Sequence, residues 1–350
     1  MKSSSSRDVA SGIAGLLPAS VNRVSARCHS NMYKYTTLLL VLYVLSIQKM
    51  DMTMIPKGGV ASTTETESTT ERALGDGCYH VFLDVGANIG VHGRFLLEPE
   101  KYPKSWSSVA LFRKEYGSLD NRDVCVFAFE ANPKHWPRLK EVSKAYETIG
   151  WRFHVIEAAV SDQKGSASFY HQGKYDEQFS EWGFSGAKDL SSVYGEEKSK
   201  GKYIEEVPTI RLSEWIENNI HRRIVPKNSK KNDNQPPILG MKMDIEGYEY
   251  IVLPDLIHSN VICNFDFVFG EFHPRFAPIE RFRESKENFH RVKLDTEGQA
   301  NQYAKSLVEV IHGSRNCKIR WIDSDDESYL KDGQPLPKGE SVPSKEGGKR

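Results

Sequence analysis

Apolar runs without polar alternation recur along this chain, and each gives way to an acid, a glycine or small residues. The runs begin at Val81, Val124, His154, Ile238 and Phe265. Unbroken apolar runs of this length suit strands of a parallel sheet covered on both faces. Shorter strands are predicted over Gly165 to Tyr170 and Val207 to Leu212, with a short helix opening at Ser213. The stretch from Ile279 to Val310 has helical character broken near Asp295 to Gly298, and Cys317 to Asp323 reads as a last strand. The pattern is that of an α/β domain.

The strand ends carry the candidate chemistry. Val81-Phe82-Leu83-Asp84-Val85 runs into Gly86-Ala87-Asn88-Ile89-Gly90. Gly86 and Gly90 allow a sharp turn and close approach of backbone to a ligand, because neither has a Cβ. The spacing is G-x-N-x-G after an acid, not the G-x-G-x-x-G of dinucleotide folds. The second run ends Phe129-Glu130-Ala131-Asn132-Pro133. An acid ending the second strand of a nucleotide-binding unit accepts hydrogen bonds from ribose hydroxyls. Asn132 and Pro133 predict a helix start there. The third run exits through Ala158 and Ala159, small enough to leave room for an adenine ring.

The ordered blocks D-V-G-A-N-I-G, F-E-A-N-P, A-A-V-S-D, R-L-S-E-W-I, K-M-D-I-E-G-Y-E and G-E-F-H span Tyr79 to Pro274. In that order they resemble the FkbM-type methyltransferases. The resemblance implies a Rossmann-like class I methyltransferase fold, with a mostly parallel central sheet and helices on both faces. It also implies S-adenosylmethionine as cofactor and O-methylation of a hydroxyl or carboxyl group. Asp84, Gly86, Ala87, Asn88, Gly90, Glu130, Asn132 and Ala159 are then the expected cofactor residues, with the Asp84 carboxylate facing the cationic end of the cofactor. Two departures stand out. The second block has Ala131 where the family more often has proline, and the stretch Glu98 to Arg122 is longer than typical, which could reshape the entrance to the site.

Methyl transfer from a sulfonium is an in-line displacement, so the protein chiefly aligns the two reactants and excludes water. Ligands of open α/β sheets sit beyond the carboxyl ends of the strands. That rule gathers Asp84, Glu130, Asp244, Glu246, Glu271 and His273 around one crevice. Asp244 is the leading candidate for a catalytic or acceptor-orienting group, with Glu246 beside it. His273 is a candidate base because an unperturbed imidazole titrates near neutrality. Asp244, Glu271 and His273 also have the donor types of a divalent-metal site, but nothing in their spacing demands one, and no metal is expected.

Composition adds the setting. Among 350 residues, Lys plus Arg and Asp plus Glu are equal at 47 each, so no basic field points to nucleic acid. Residues 1–32 form a basic, Ser-containing tail and residues 33–50 hold the uncharged apolar run Tyr35 to Ile47. Residues 51–75 form a Ser/Thr/Glu-rich stalk. Anchor, stalk and a domain over 76–330 describe a single-pass type II membrane protein of the secretory pathway, in the Golgi above all. A cleaved signal, giving a secreted enzyme, and an organelle transit segment are the alternatives. Residues 331–350 are expected to be a disordered tail.

Cys125 and Cys263 read as buried thiols, leaving Cys78 and Cys317 as candidates to pair in an oxidising lumen, with connectivity open. Gly173 to Tyr203, with Trp182, Phe184 and Tyr194, suits a lid over the acceptor and equally an ordinary surface loop. Arg281 to Lys293 reads first as a solvated helix face, with recognition of an anionic acceptor such as a glycan or lipid headgroup as the alternative. The acceptor itself is expected to be a glycan or small molecule, and the oligomeric state is open. A noncatalytic membrane protein that keeps the fold as a binding or trafficking module is the competing reading. A nicotinamide oxidoreductase is disfavoured by the glycine spacing.

Overall fold

The computed structural model describes residues 72–103, 106–171, 184–186, 203–227, 236–277, 294, 296–323 and 332–338. The tail, apolar segment and most of the stalk lie outside these residues, as do Trp182, Tyr194 and the surface Arg281 to Lys293.

Six strands form the main sheet among the described residues: β1 (His80–Val85), β2 (Val124–Phe129), β3 (Arg152–Ile156), β8 (Leu239–Met243), β9 (Phe267–Gly270) and β10 (Arg320–Asp323). Their order is β10-β9-β8-β1-β2-β3 and every pairing is parallel. Numbered within this sheet alone, that is 3-2-1-4-5-6, the doubly wound order, and the direction of winding reverses between β1 and β8. Every residue of β1, β2 and β8 is buried, as their unalternated runs predict.

Helices cover both faces. Alternate residues Phe82, Val126 and Phe269 pack under α1 (Val91–Leu97), α2 (Ser107–Glu115) and α3 (Trp136–Glu147). Val81, Leu83, Phe127 and Met241 face the other way, onto α4 (Leu212–Ile216), α5 (Glu249–His258) and α6 (Glu297–Gly313). α6 starts at a capping box on Thr296 and Gln299, the predicted break in the helical stretch.

A smaller sheet stands beside the carboxyl end of the main one, in the order β4-β7-β5-β6: β4 (Ala159–Ser161), β5 (Gly165–His171), β6 (Phe184–Ser185) and β7 (Tyr203–Arg211). The third apolar run is therefore two strands. It breaks at Glu157 and Ala158, and its second half leaves the main sheet.

Three expectations are corrected. The disulfides are Cys78–Cys125 and Cys263–Cys317, so the two cysteines read as thiols are both bonded, and Cys78 does not meet Cys317. Cys125 looked inert because it lies in an apolar strand, but Cys78 leads into the strand beside it. The helix after the second run starts at Trp136, not at Pro133, because Asn132 Oδ1 accepts the Lys134 N–H in a tight turn first. Finally, residues 332–338 are ordered against α1, held by Asp332, where polar composition predicted disorder.

Candidate functional site

A crevice opens beyond the carboxyl ends of β1, β2 and β8, at the reversal of winding, with about 740 Å³ of space partly open to solvent. Its walls include Gly86, Asn88, Glu130, Asn132, Ala158, Ala159, Lys242, Asp244 and Glu246, with Phe169, Phe184 and Tyr248 on the side of the smaller sheet. Seven of the eleven residues expected at the site on sequence grounds lie in that wall; Ala87, Gly90, Asp84 and His273 do not.

The turn after β1 is held from β2. Phe129 O accepts the N–H groups of Gly86 and Ala87 at 3.0 and 2.9 Å. Glu130 Oε2 accepts the Asn88 N–H at 2.6 Å, while Oε1 accepts the Asn132 N–H at 2.8 Å. Asn88 has φ 52°, a left-handed conformation that asparagine tolerates. Gly86 has φ +82°, and a Cβ on it would lie 1.8 Å from Asp244 O. Its missing side chain thus lets the turns after β1 and β8 meet. Gly90 serves packing instead: its Cβ would lie 2.9 Å from Leu139 of α3.

Asp84 departs from expectation. The pleat puts it on the same face as Phe82, beneath α1, where it is fully buried and the Gly93 N–H lies close enough to favour its charged form. Burial pushes its carboxyl up to about 7, opposed by the Lys242 ammonium.

Lys242 is a site residue that sequence reading missed. It is buried in β8 and its Nζ donates to Gly86 O at 2.5 Å and pairs with Asp244 Oδ2 at 3.0 Å. Burial pushes the Asp244 carboxyl up, but Lys242 and His273 outweigh it and hold Asp244 below the usual carboxylate range. Asp244 is therefore ionised at neutral pH.

Glu249 is the second missed residue. Fully buried at the start of α5, its carboxylate reaches back to accept the N–H groups of Ile245 and Gly247, both at 2.8 Å. Oε1 also meets His273 Nδ1 at 2.9 Å. The signal available in sequence was an acid at a helix start just after a glycine turn, where backbone N–H groups converge.

His273 sits within a ring of carboxylates. Its Nε2 lies 3.6 Å from Asp244, 3.8 Å from Glu271 and 4.0 Å from Glu246. Burial would lower its pKa, but Glu249, Glu246 and Asp244 override that and hold it at about 11. An imidazole that keeps its proton acts as a cation. Among the carboxylates around His273, Glu246 is the one pushed up: burial, with Asp244, Glu249 and Glu271 nearby, raises its carboxyl to about 8 against the pull of His273, although a third of its side chain (33%) is exposed. It sits at φ 52°, and its carbonyl accepts from Ser185 Oγ at 3.0 Å.

Ligand atoms of Asp244, Glu249 and His273 lie within 4.8 Å of one another. Among the described residues these are the donor types and spacing of a small cation site, and a protonated His273 is the other way to place positive charge among the same carboxylates. No described residue of the long stretch Glu98 to Arg122 lines the crevice; it folds as α2 and flanking turns over the helix layer instead. The aromatic wall is stacked, with Phe169 4.9 Å from Phe184 and 5.2 Å from Tyr248 between ring centroids.

Compared with known proteins, residues 84–293 match the model of the methyltransferase FkbM domain, more than half of the 350-residue chain. No curated protein and no solved structure matches it.

Proposed function

This chain belongs to the FkbM methyltransferase family, and from that premise we propose that it methylates a hydroxyl oxygen of a glycan or small-molecule acceptor. Membership makes S-adenosylmethionine its cofactor and methyl transfer its activity. The crevice fits such a group. Asn88 Oδ1 is buried in its wall without a partner, and the wall carries the acceptors Glu130 and Asp244 for a cationic ligand rich in N–H and O–H donors. The cofactor, when bound, supplies an electrophilic methyl group on a sulfonium.

The residues divide the remaining work. Glu130 lines the crevice, and beyond its bonds to the loops its carboxylate has acceptor capacity for ribose hydroxyls, with His135 Nδ1 3.5 Å from Oε1. Ala158 and Ala159 leave flat space beside it for the base. Across the crevice, Asp244 is held ionised by Lys242 and His273, suited to accept a hydrogen bond from the acceptor hydroxyl and orient its oxygen. Glu246, with a carboxyl near 8, is the base: its ionised form takes the hydroxyl proton as the oxygen gains the methyl group. His273 keeps these carboxylates together without taking a proton.

The observation that carries this reading is the placement of Asp244 and Glu246 together in one crevice wall, with Asp244 Oδ2 3.0 Å from Lys242 Nζ. A methyl-transfer assay across glycans and small hydroxyl compounds tests it, with cofactor binding followed by calorimetry. Turnover lost in Asp244→Asn and Glu246→Gln, with cofactor binding kept, is the expected result. Full turnover in both variants would defeat the assignment.

We further propose a type II membrane placement in the secretory pathway, the Golgi above all. Two disulfides suit an oxidising lumen, and the apolar run Tyr35 to Ile47 suits an anchor. Among the described residues, no helix is long and apolar enough to cross a membrane.

A further inference from the structure

Arg94 and Asp332 lie 238 residues apart in sequence and form a buried ion pair with no exposed side-chain surface. Arg94 is in α1, the helix that leaves the Gly86 to Gly90 turn. Its Nη1 donates to both Asp332 oxygens at 3.0 and 2.8 Å and to Gln334 O at 3.0 Å. Its Nη2 donates to Pro335 O and Glu98 Oε2, both at 3.1 Å, and its Nε to Glu98 Oε2 at 3.2 Å. The guanidinium is thus satisfied on all sides, with four of its six hydrogen bonds going to the carboxyl-terminal segment. Asp332 also accepts from Tyr102 Oη at 3.0 Å and lies 3.8 Å from Arg138 Nη2.

Arg138 is in α3, the helix that follows the Glu130 to Asn132 turn. Lower down, Tyr146 of α3 donates to Glu98 at 2.6 Å, beside Arg94. The carboxyl-terminal segment therefore joins the two helices that descend from the two turns of the cofactor crevice. Those helices carry crevice residues: His92 lies in the first turn of α1, and His135 caps α3. A buried ion pair is a poor source of stability compared with apolar packing of equal size. What it supplies here is a fixed distance and angle between two helices.

We propose that residues Asp332 to Pro335 are a clasp that sets cofactor affinity, with Asp332 a positioning residue acting through Arg94 and Arg138. The proposal rests on the cofactor reading above. It extends the functional unit about 40 residues past the family match, which ends at 293. Linkage makes it reciprocal: if the clasp favours the cofactor-bound arrangement of α1 and α3, bound cofactor must tighten the clasp.

The test uses the full chain. Amide hydrogen exchange of Gly333 to Leu336 is followed with and without saturating S-adenosylmethionine, and binding is confirmed by calorimetry on the same sample. Exchange at least fivefold slower with cofactor is expected. In Asp332→Asn, which keeps the shape and loses the charge, the KM for cofactor should rise at least fivefold with kcat within twofold. If Asp332→Asn does not fold, the wild-type exchange experiment decides alone. Cofactor binding with unchanged exchange overturns the clasp and leaves the function standing. No cofactor binding by the wild-type chain overturns both.

Discussion

Glu130 accepts the backbone N–H of Asn88 at 2.6 Å, so the end of the second strand shapes the turn that leaves the first. One carboxylate thereby organises both loops while facing the crevice. Removing it in Glu130→Ala strands two backbone donors and deletes the acceptor offered to a ribose. Hydrogen bonds to a charged group contribute about 1.5–3 kcal/mol each. Cofactor affinity should fall by at least about tenfold, the equivalent of 1.4 kcal/mol. Calorimetry giving the wild-type Kd would remove Glu130 from the site.

Glu246 sets a pH dependence. Its carboxyl is pushed up to about 8, and the ionised form is the base, so turnover should climb as pH rises through about 8 and level off above. The sign for stability is opposite. The folded state holds this proton more tightly than the unfolded state, whose carboxyl lies near 4.5, so the contribution is lost as pH climbs from there to about 8. Glu246→Gln has no proton to lose. A pH series of kcat on the wild type and of thermal midpoint on both proteins checks the pair of slopes; a flat kcat profile, or midpoint curves that run parallel in the two proteins, would count against the shift.

Gly86 admits no side chain. Its φ of +82° and the 1.8 Å separation of a built Cβ from Asp244 O mean that Gly86→Ala must part the turns after β1 and β8. Left-handed strain alone costs about 1–3 kcal/mol, and the collision adds to it. Loss of cofactor binding with a lower denaturation midpoint is expected. A variant that binds cofactor normally would show that the two turns need not touch.

The two disulfides span 47 and 54 residues in sequence. Closing loops of that size restricts the unfolded chain by about 4 kcal/mol in the loop-entropy account. Mild reduction of the native domain should lower its thermal midpoint by several degrees while leaving cofactor affinity intact, because both bonds lie at the amino-terminal ends of strands. An unchanged midpoint after verified reduction would mean that the bonds add nothing to stability.

Much of this was legible in the sequence, for a physical reason. Buried parallel strands must be apolar on both faces, so β1, β2, β8 and β9 announce themselves, and the strand ends then point to Asp244 and Glu130. What stayed hidden depends on contacts between distant segments. The period of two that buries Phe82 also turns Asp84 under α1, but the family pattern had directed it to the ligand. Lys242 looks like a solvated charge until Gly86 O is set beside it. The near-neutral pKa expected of His273 disappears once four carboxylates surround it. Asp332 sits in a polar tail whose composition says nothing of Arg94, and cysteine pairing has no local signature at all.

The reversal of winding between β1 and β8 also divides the crevice between an earlier and a later half of the chain. Asn88, Glu130, Ala158 and Ala159, proposed to meet the cofactor, come from the chain before Val160, and the proposed catalytic groups come from the chain after Leu239, with Asp244 facing both ligands. Lys242 on Gly86 O is the seam between them. Acceptor preference can therefore drift, or be exchanged between relatives, by editing the later half alone, provided that the seam is kept.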